Sequence, residues 1–253
     1  MTEAAVKEFQ KSAGVRVDGK CGPATIIALL RLTKIVSGGA PAALRESAAQ
    51  KSRGPALANK VIVLDPGSGE DEAEIVYDIT RRIEGRLLAL GASVFLTRGT
   101  QNNPTEAERI AFTNESSADL LISVHVDRHT NPQARGVATF FYGSDQHGIH
   151  SIVGEKFASL VQREICARTD LINCRTHAKT WDSLRLTKAP AVRVELGYSS
   201  NEGDAARLAQ AEFRDTIAES FVISIQRLYL AAEDDAKTGT LRISDLRSAG
   251  IRR

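Results

Sequence analysis

Three apolar runs in this chain end in side chains able to hold a cation or move a proton. Lys60–Leu64 runs into Asp65-Pro66-Gly67-Ser68, Asp119–Val124 into His125, and Ala191–Val194 into Glu195. Short runs rich in β-branched residues and bounded by turn formers read as buried strands. A helix pattern follows the first run almost at once, with Ile75, Ile79, Ile83 and Leu87 spaced four apart. Strand, tight turn, then helix is how open α/β sheets present reactive groups at the carboxyl ends of strands. Three such ends, each with a polar group, predict one shared site.

The elements that must position these residues alternate along the chain. Ser93–Thr97 reads as a second strand ending at Arg98, and Pro104-Thr105-x-x-Glu108 as the capping-box start of a helix through Asn114. Leu120–Val124 and Val137–Tyr142 read as further strands, Ile149–Arg168 as a helix, and Ala191–Leu196 as a fifth strand. Asn201 is a suitable N-cap for a short helix to Ala209, and Phe213–Leu230 is the last long helix. The pattern predicts an α/β fold over residues 60–231, a three-layer sandwich around a mainly parallel mixed sheet.

Lys and Arg number 33 against 31 Asp and Glu, a net charge of +2, so no nucleic-acid or membrane surface is implied. Cys21, Cys166 and Cys174 are too few and too irregularly spaced for a disulfide framework; they read as buried, inert thiols that fit a reducing compartment. No run of about 18 apolar residues is present to span a membrane. The polar, amphipathic start, Met1–Gly14, does not read as a signal peptide, and the expected location is the cytoplasm.

The blocks KVIVLDPGSG, RIAFTNESSADLLISVHVD and PAVRVELGYSSN resemble, in order and spacing, the signature blocks of the zinc-dependent N-acetylmuramoyl-L-alanine amidases of the amidase-3 type. That resemblance implies a zinc held by His, Glu and His, with a late-strand Glu as base. Carried over by position, Glu72 matches the Glu ligand, His125 the second His and Glu195 the catalytic Glu. The first His is replaced by Ser68, whose neutral hydroxyl is a poor zinc ligand. Only Gly69, Glu70 and Asp71 separate Ser68 from Glu72, where active members carry a longer loop. Each residue also has a plainer reading. Glu70, Asp71, Glu72 and Glu74 complement a helix dipole, His125 is a hydrogen-bonded strand-end histidine, and Glu195 is an idle carboxylate paired with Arg185 or Arg193. His177 and Arg185 fall in a segment that lines the cleft in the family.

The N-terminal stretch resembles part of a peptidoglycan-binding module, through AVKEFQ, Gly14 and DGKCGPATIIALL. This predicts a partial helical module at residues 1–34. Residues 35–59 are rich in Ala, Ser, Gly and Pro and read as a linker that includes a short helix near Ala42–Gln50. Residues 232–253 are polar and read as a flexible regulatory tail.

A closer resemblance, carried by EGRLLALGA, VQREICARTDLINCRTHAKTWDSLRLTKAP and RLYLAAEDDAKTGTL, is to a regulatory branch of the same family that lacks the intact zinc set. It implies a catalytically silent regulator of peptidoglycan precursor synthesis, with no cofactor. The resemblance further implies phosphorylation at Thr238 and Thr240 by a Ser/Thr protein kinase. Its implied partners are a forkhead-associated-domain protein and UDP-N-acetylglucosamine enolpyruvyl transferase, with peptidoglycan fragments as a further ligand class. A phosphate adds nearly two charges and strong acceptors for an Arg-lined partner. The other expectation is a working amidase in which Zn2+ is held by Glu72, His125 and a substitute ligand.

Overall fold

In the computed structural model the chain divides after Leu44 into two compact units, described separately. The described residues are 2–13, 15–22, 24–26, 57–144 and 149–229. The expected linker helix, most of the second module helix, and the tail with Thr238 and Thr240 lie outside them.

The first unit begins with α1 (Thr2–Ser12). Its organiser is Gln10, buried to 1% exposure. The Gln10 amide donates to Asp18 Oδ1 at 2.8 Å, Lys20 O at 2.9 Å and Thr25 Oγ1 at 2.9 Å, and its oxygen accepts the N–H groups of Asp18 and Gly19. One amide thus ties the helix to the Asp18-Gly19 turn, where Gly19 takes φ +73°.

The second unit contains β1 (Val61–Pro66), α2 (Ala73–Ala89), β2 (Ser93–Leu96), α3 (Glu106–Glu115), β3 (Leu120–Asp127), β4 (Val137–Ser144), β5 (Ile149–His150), α4 (Ile152–Arg168), β6 (Asn173–Lys179), α5 (Asp182–Arg185), β7 (Ala191–Tyr198), α6 (Glu202–Leu208) and α7 (Ala211–Tyr229). The sheet order is β2-β1-β3-β7-β4-β5, with β6 paired to β4. The first four strands run parallel; β4 runs against β7, and β6 lies parallel to β4. This is the expected mixed, mainly parallel α/β sheet.

Several boundaries move for identifiable reasons. The ladder of β1 continues through Asp65 and Pro66, which pairs with Val124. Gly67 N–H donates to Val124 O, so alternation turns the Pro66 nitrogen toward β2, past its last paired residue, where no donor is needed. The expected helix from Ile149 begins at Ile152 instead. Ser151 caps it by accepting Gly154 N–H, and Ile149–His150 pairs with β4. The segment expected to line the cleft at His177 is itself a strand, β6. All three cysteines are free thiols, but Cys21 is exposed and Cys166 and Cys174 are half-buried, which corrects the expectation that they are buried.

The two faces of the sheet differ in chemistry. Ile62, Leu64, Leu120, Ile122, Val124, Val192, Val194 and Leu196 all turn to one side, where α2, α4 and α7 close the main core. The other side is apolar only at its start. There Val63, Leu121 and Ala191 lie in register across β1, β3 and β7, and pack with Ala138, Phe140 and Leu184. Two residues on, the same side presents Asp65, Ser123 and Arg193 in register. Two further on it presents His125 and Glu195. The polar half of this face is the floor of the site.

Candidate functional site

The first tier is fixed by Asp65. Its carboxylate accepts Thr97 Oγ1 at 2.5 Å, Ser123 Oγ at 2.8 Å and Arg109 Nη1 at 2.9 Å. Arg109 is placed for this by α3, whose start is the expected capping box: Thr105 accepts Glu108 N–H while Glu108 accepts Thr105 N–H. Arg98, 6% exposed, reaches under the turn after β1. It donates to Pro66 O at 2.9 Å, Gly67 O at 2.5 Å and Ala73 O at 2.9 Å. Three backbone carbonyls on one buried guanidinium, with Pro66 O shared by Arg109 Nη1 at 2.9 Å, set the path of the Gly67–Glu72 connection.

That path delivers Glu72 into the site. Glu72 occupies the N-cap position of α2 but makes no capping bond. The residue is 8% exposed, and its side chain turns inward instead of complementing the helix dipole. Glu72 Oε1 lies 3.2 Å from His125 Nδ1 and accepts Gly69 N–H at 3.2 Å; Glu72 Oε2 accepts Val126 N–H at 2.6 Å. Burial pushes the Glu72 carboxyl up, but His125 and the two amides outweigh it and hold it below the usual carboxylate range. Asp71, by contrast, faces out and pairs with Arg128.

Gly67 packs directly against this pair. A Cβ there would sit 2.3 Å from Glu72 Oε1 and 2.5 Å from His125 Nδ1. The connection has closed onto the two side chains.

Glu195 stands beside His125 across the β3–β7 register and accepts Arg193 Nε at 3.2 Å. Burial raises the Glu195 carboxyl above its usual range, with Arg193 opposing and Asp127 adding to the rise. Of its two expected partners, Arg193 is the one that pairs; Arg185 is exposed and bonds Asp182. His177 is exposed and stacks on Phe140 at 5.6 Å, Phe140 meets Trp181 at 4.9 Å, and Arg193 lies over the Trp181 ring at 5.4 Å. His177 therefore belongs to a stacked row that ends at the cleft.

A cavity of about 310 Å3 opens over this floor, lined by residues that include Asp65, Ser68, Glu72, Arg109, His125, Ser183 and Arg193. Neither His177 nor Arg185 lines it. The sequence reading missed Arg98, Asp65's network and Trp181. The Asp65-Pro66 strand end carried a signal for the first two, but their partners lie 25 or more residues away in sequence.

The donor set is the test of a zinc centre. Glu72 and His125 are 3.2 Å apart, a separation that suits a hydrogen bond and equally suits two ligands on one tetrahedral cation. The donor count decides. Among the described residues no three His, Cys, Asp or Glu side chains converge to hold a metal. Position 68 offers a hydroxyl, His129 Nδ1 accepts Asn131 N–H, and His150 pairs with Glu155. The described residues do not fit a hydrolytic zinc centre, which needs three protein ligands and an open position.

The fold and site define an α/β protein with a cleft at the carboxyl ends of its strands, where His125 and Glu195 stand at adjacent strand ends and the helix-borne Glu72 is turned onto His125. The family model for N-acetylmuramoyl-L-alanine amidases matches residues 62–227, and a peptidoglycan binding domain model matches residues 1–29. The chain belongs to the N-acetylmuramoyl-L-alanine amidase family. It is 40% identical, over 97% of its length, to the N-acetylmuramoyl-L-alanine amidase CwlM of Mycobacterium tuberculosis, of which it spans 64%. It is 27% identical over 70% of its length to the germination-specific amidase of Bacillus subtilis, of which it spans 83%. Among solved structures, the amidase Ami1 of Mycobacterium smegmatis superposes with a TM-score of 0.60 at 21% identity, covering 69% of this chain and 98% of that one. AmiC2 of Nostoc punctiforme gives a TM-score of 0.59 at 23% identity, covering 66% and 94%.

Proposed function

We propose that this chain is an amidase-fold protein without hydrolytic turnover, which regulates peptidoglycan precursor synthesis through protein contacts. The carrying observation is the closed Glu72–His125 pair. Both Glu72 oxygens are engaged by protein groups, Gly67 packs against the pair, and position 68 supplies no third strong ligand. Phosphorylation of Thr238 and Thr240 by a Ser/Thr kinase is the switch. It creates a dock for a forkhead-associated domain and activates UDP-N-acetylglucosamine enolpyruvyl transferase. The location is cytoplasmic, with which three free thiols accord. Among the described residues no helix is long and apolar enough to cross a membrane.

The test has two arms. Purified protein is expected to carry far less than one zinc per chain and to release no peptide from muropeptides. One tightly held zinc per chain, with hydrolysis abolished in Glu195→Gln, overturns the silent reading. In the second arm, kinase-treated protein is expected to bind the forkhead-associated domain and stimulate the transferase, and Thr238→Ala/Thr240→Ala to do neither. Equal behaviour of the two proteins overturns the switch.

A second reading, a working zinc amidase, is favoured by one specific observation. Glu195 is retained beside His125 with its carboxyl pushed up, as suits a group that takes up and returns a proton.

A further inference from the structure

The middle of the cleft holds an arginine that the zinc chemistry does not use. Arg193 lies on the polar side of β7, in register with Ser123 of β3 and Phe140 of β4, and lines the cavity. Its Nε is fixed by Glu195 at 3.2 Å, and its guanidinium is stacked on Trp181. Trp181 is in turn supported by Phe140 and flanked by Lys179, 5.7 Å from its ring. A guanidinium held both through Nε and on an aromatic face is pre-aimed and loses little freedom on binding. Its two terminal nitrogens have no hydrogen-bond partner among the described residues. The hydroxyls of Ser68 and Ser183, which line the same cavity, likewise have no partner there.

The carboxylates around these donors are each hydrogen-bonded, and Glu195, on Arg193 Nε, offsets part of the charge that the terminal nitrogens present. Asp65 is held by Arg109, Thr97 and Ser123; Glu72 by His125 and two amides; Glu195 by Arg193 itself. Glu106, exposed on the first turn of α3, is the one further acid among the described lining residues. It disfavours a second negative charge on a ligand.

We propose that the cleft is a binding pocket for a small molecule bearing one oxyanion, a carboxylate or a phosphate. Arg193 is its anchor through the terminal nitrogens, and Ser68 and Ser183 act as secondary donors. Paired N–H groups of a planar guanidinium match both oxyanions in fork geometry. A volume of about 310 Å3 suits a small organic ligand. The inference rests on the cleft having no metal centre, because a bound cation would place its own charge within the same cavity.

Trp181 is the single tryptophan of the chain, so its fluorescence reads the stack on Arg193 directly. The intact protein is titrated with N-acetylalanine, with inorganic phosphate, and with uncharged N-acetylalaninamide. Zinc content is measured on the same sample. The expected result is a saturable change with at least one of the two anions and none with the amide; the anion that saturates identifies the source. Arg193→Gln is expected to weaken that binding by about tenfold or more. If that variant does not fold, Arg193→Lys is used, which keeps the charge but loses the fork, and weakening is again expected. No saturation with either anion, or unchanged binding in the folded variant, overturns the proposal. One zinc per chain would sink the silent reading through a separate measurement, while the anion titration still reports on Arg193.

Discussion

Glu72 and His125 meet at 3.2 Å although 52 residues separate them in the chain, and the Glu72 side chain also receives the amide of Val126, the residue after His125. A helix-start carboxylate thereby locks the end of β3 to the turn after β1. The sequence resemblance places the family's metal ligands at the same two residues, and their mutual contact is what the acid limb of stability is expected to report.

The first prediction concerns pH. The Glu72 carboxyl is held below its ordinary value of 4.5, so its ionised form favours the folded state. That stabilisation is fully present above pH 4.5 and is lost as pH falls through the lower, folded-state value. Glu72→Gln is expected to lose about 1–3 kcal/mol near neutral pH and to show a flatter acid limb. Urea titrations from pH 7 down to 3 check this, and parallel acid limbs for the two proteins would contradict it.

Glu195 is expected to do the opposite. Its carboxyl is raised by burial, so the folded state favours the protonated form. Its contribution is present below pH 4.5 and declines as pH rises through the raised value. The stability of the wild type relative to Glu195→Gln should therefore fall across that window and level off above it. The same urea series measures it; a rising difference would mean that Arg193, not burial, dominates.

Gly67→Ala should be destabilising through packing alone. The added methyl lands within 2.5 Å of both Glu72 and His125, and the Gly67 backbone is fixed by Val124 O on one side and Arg98 on the other. Overpacking at such a point costs about 1–3 kcal/mol. Thermal and chemical denaturation report the loss, and a neutral result would show that the turn can move.

Ser68→His alone should restore neither tight zinc binding nor muropeptide hydrolysis. Three residues join position 68 to Glu72, Gly67 fills the space against the pair, and Glu72 Oε2 stays on the Val126 amide. Zinc content after dialysis and peptide release are the measurements. Turnover in this single variant would show that the short connection is no obstacle.

Much of this architecture is legible in the sequence where local chemistry decides. The Thr105–Glu108 capping box, the Asn201 cap and the four-residue spacing from Ile75 to Leu87 each read correctly, because a cap or an apolar stripe is a short-range signal. β6 was not legible. Asn173–Lys179 has no buried residue and no apolar stripe, and only pairing with β4 makes it a strand. The start of α4 was misplaced because Ile149 keeps the apolar phase of the helix, while the Ser151 cap stops it two residues later. In the site, His125 and Glu195 could be named from their places after apolar runs, and Glu72 only from the family resemblance, since a helix-start acid by itself reads as a dipole partner. The clamp by Arg98 and the row from His177 to Arg193 could not, since both join segments remote in sequence.

The polarity gradient along one side of the sheet has a broader consequence. Alternate residues of the same strands answer to different demands: those toward α2, α4 and α7 pack the main core, and those opposite carry the polar floor, held by a few hydrogen bonds and ion pairs. A lineage built on this plan can rewrite its reactive surface by point changes at strand ends while the scaffold stays superposable on its relatives. Ancestry and occupation are then carried by separate sets of side chains, one residue apart.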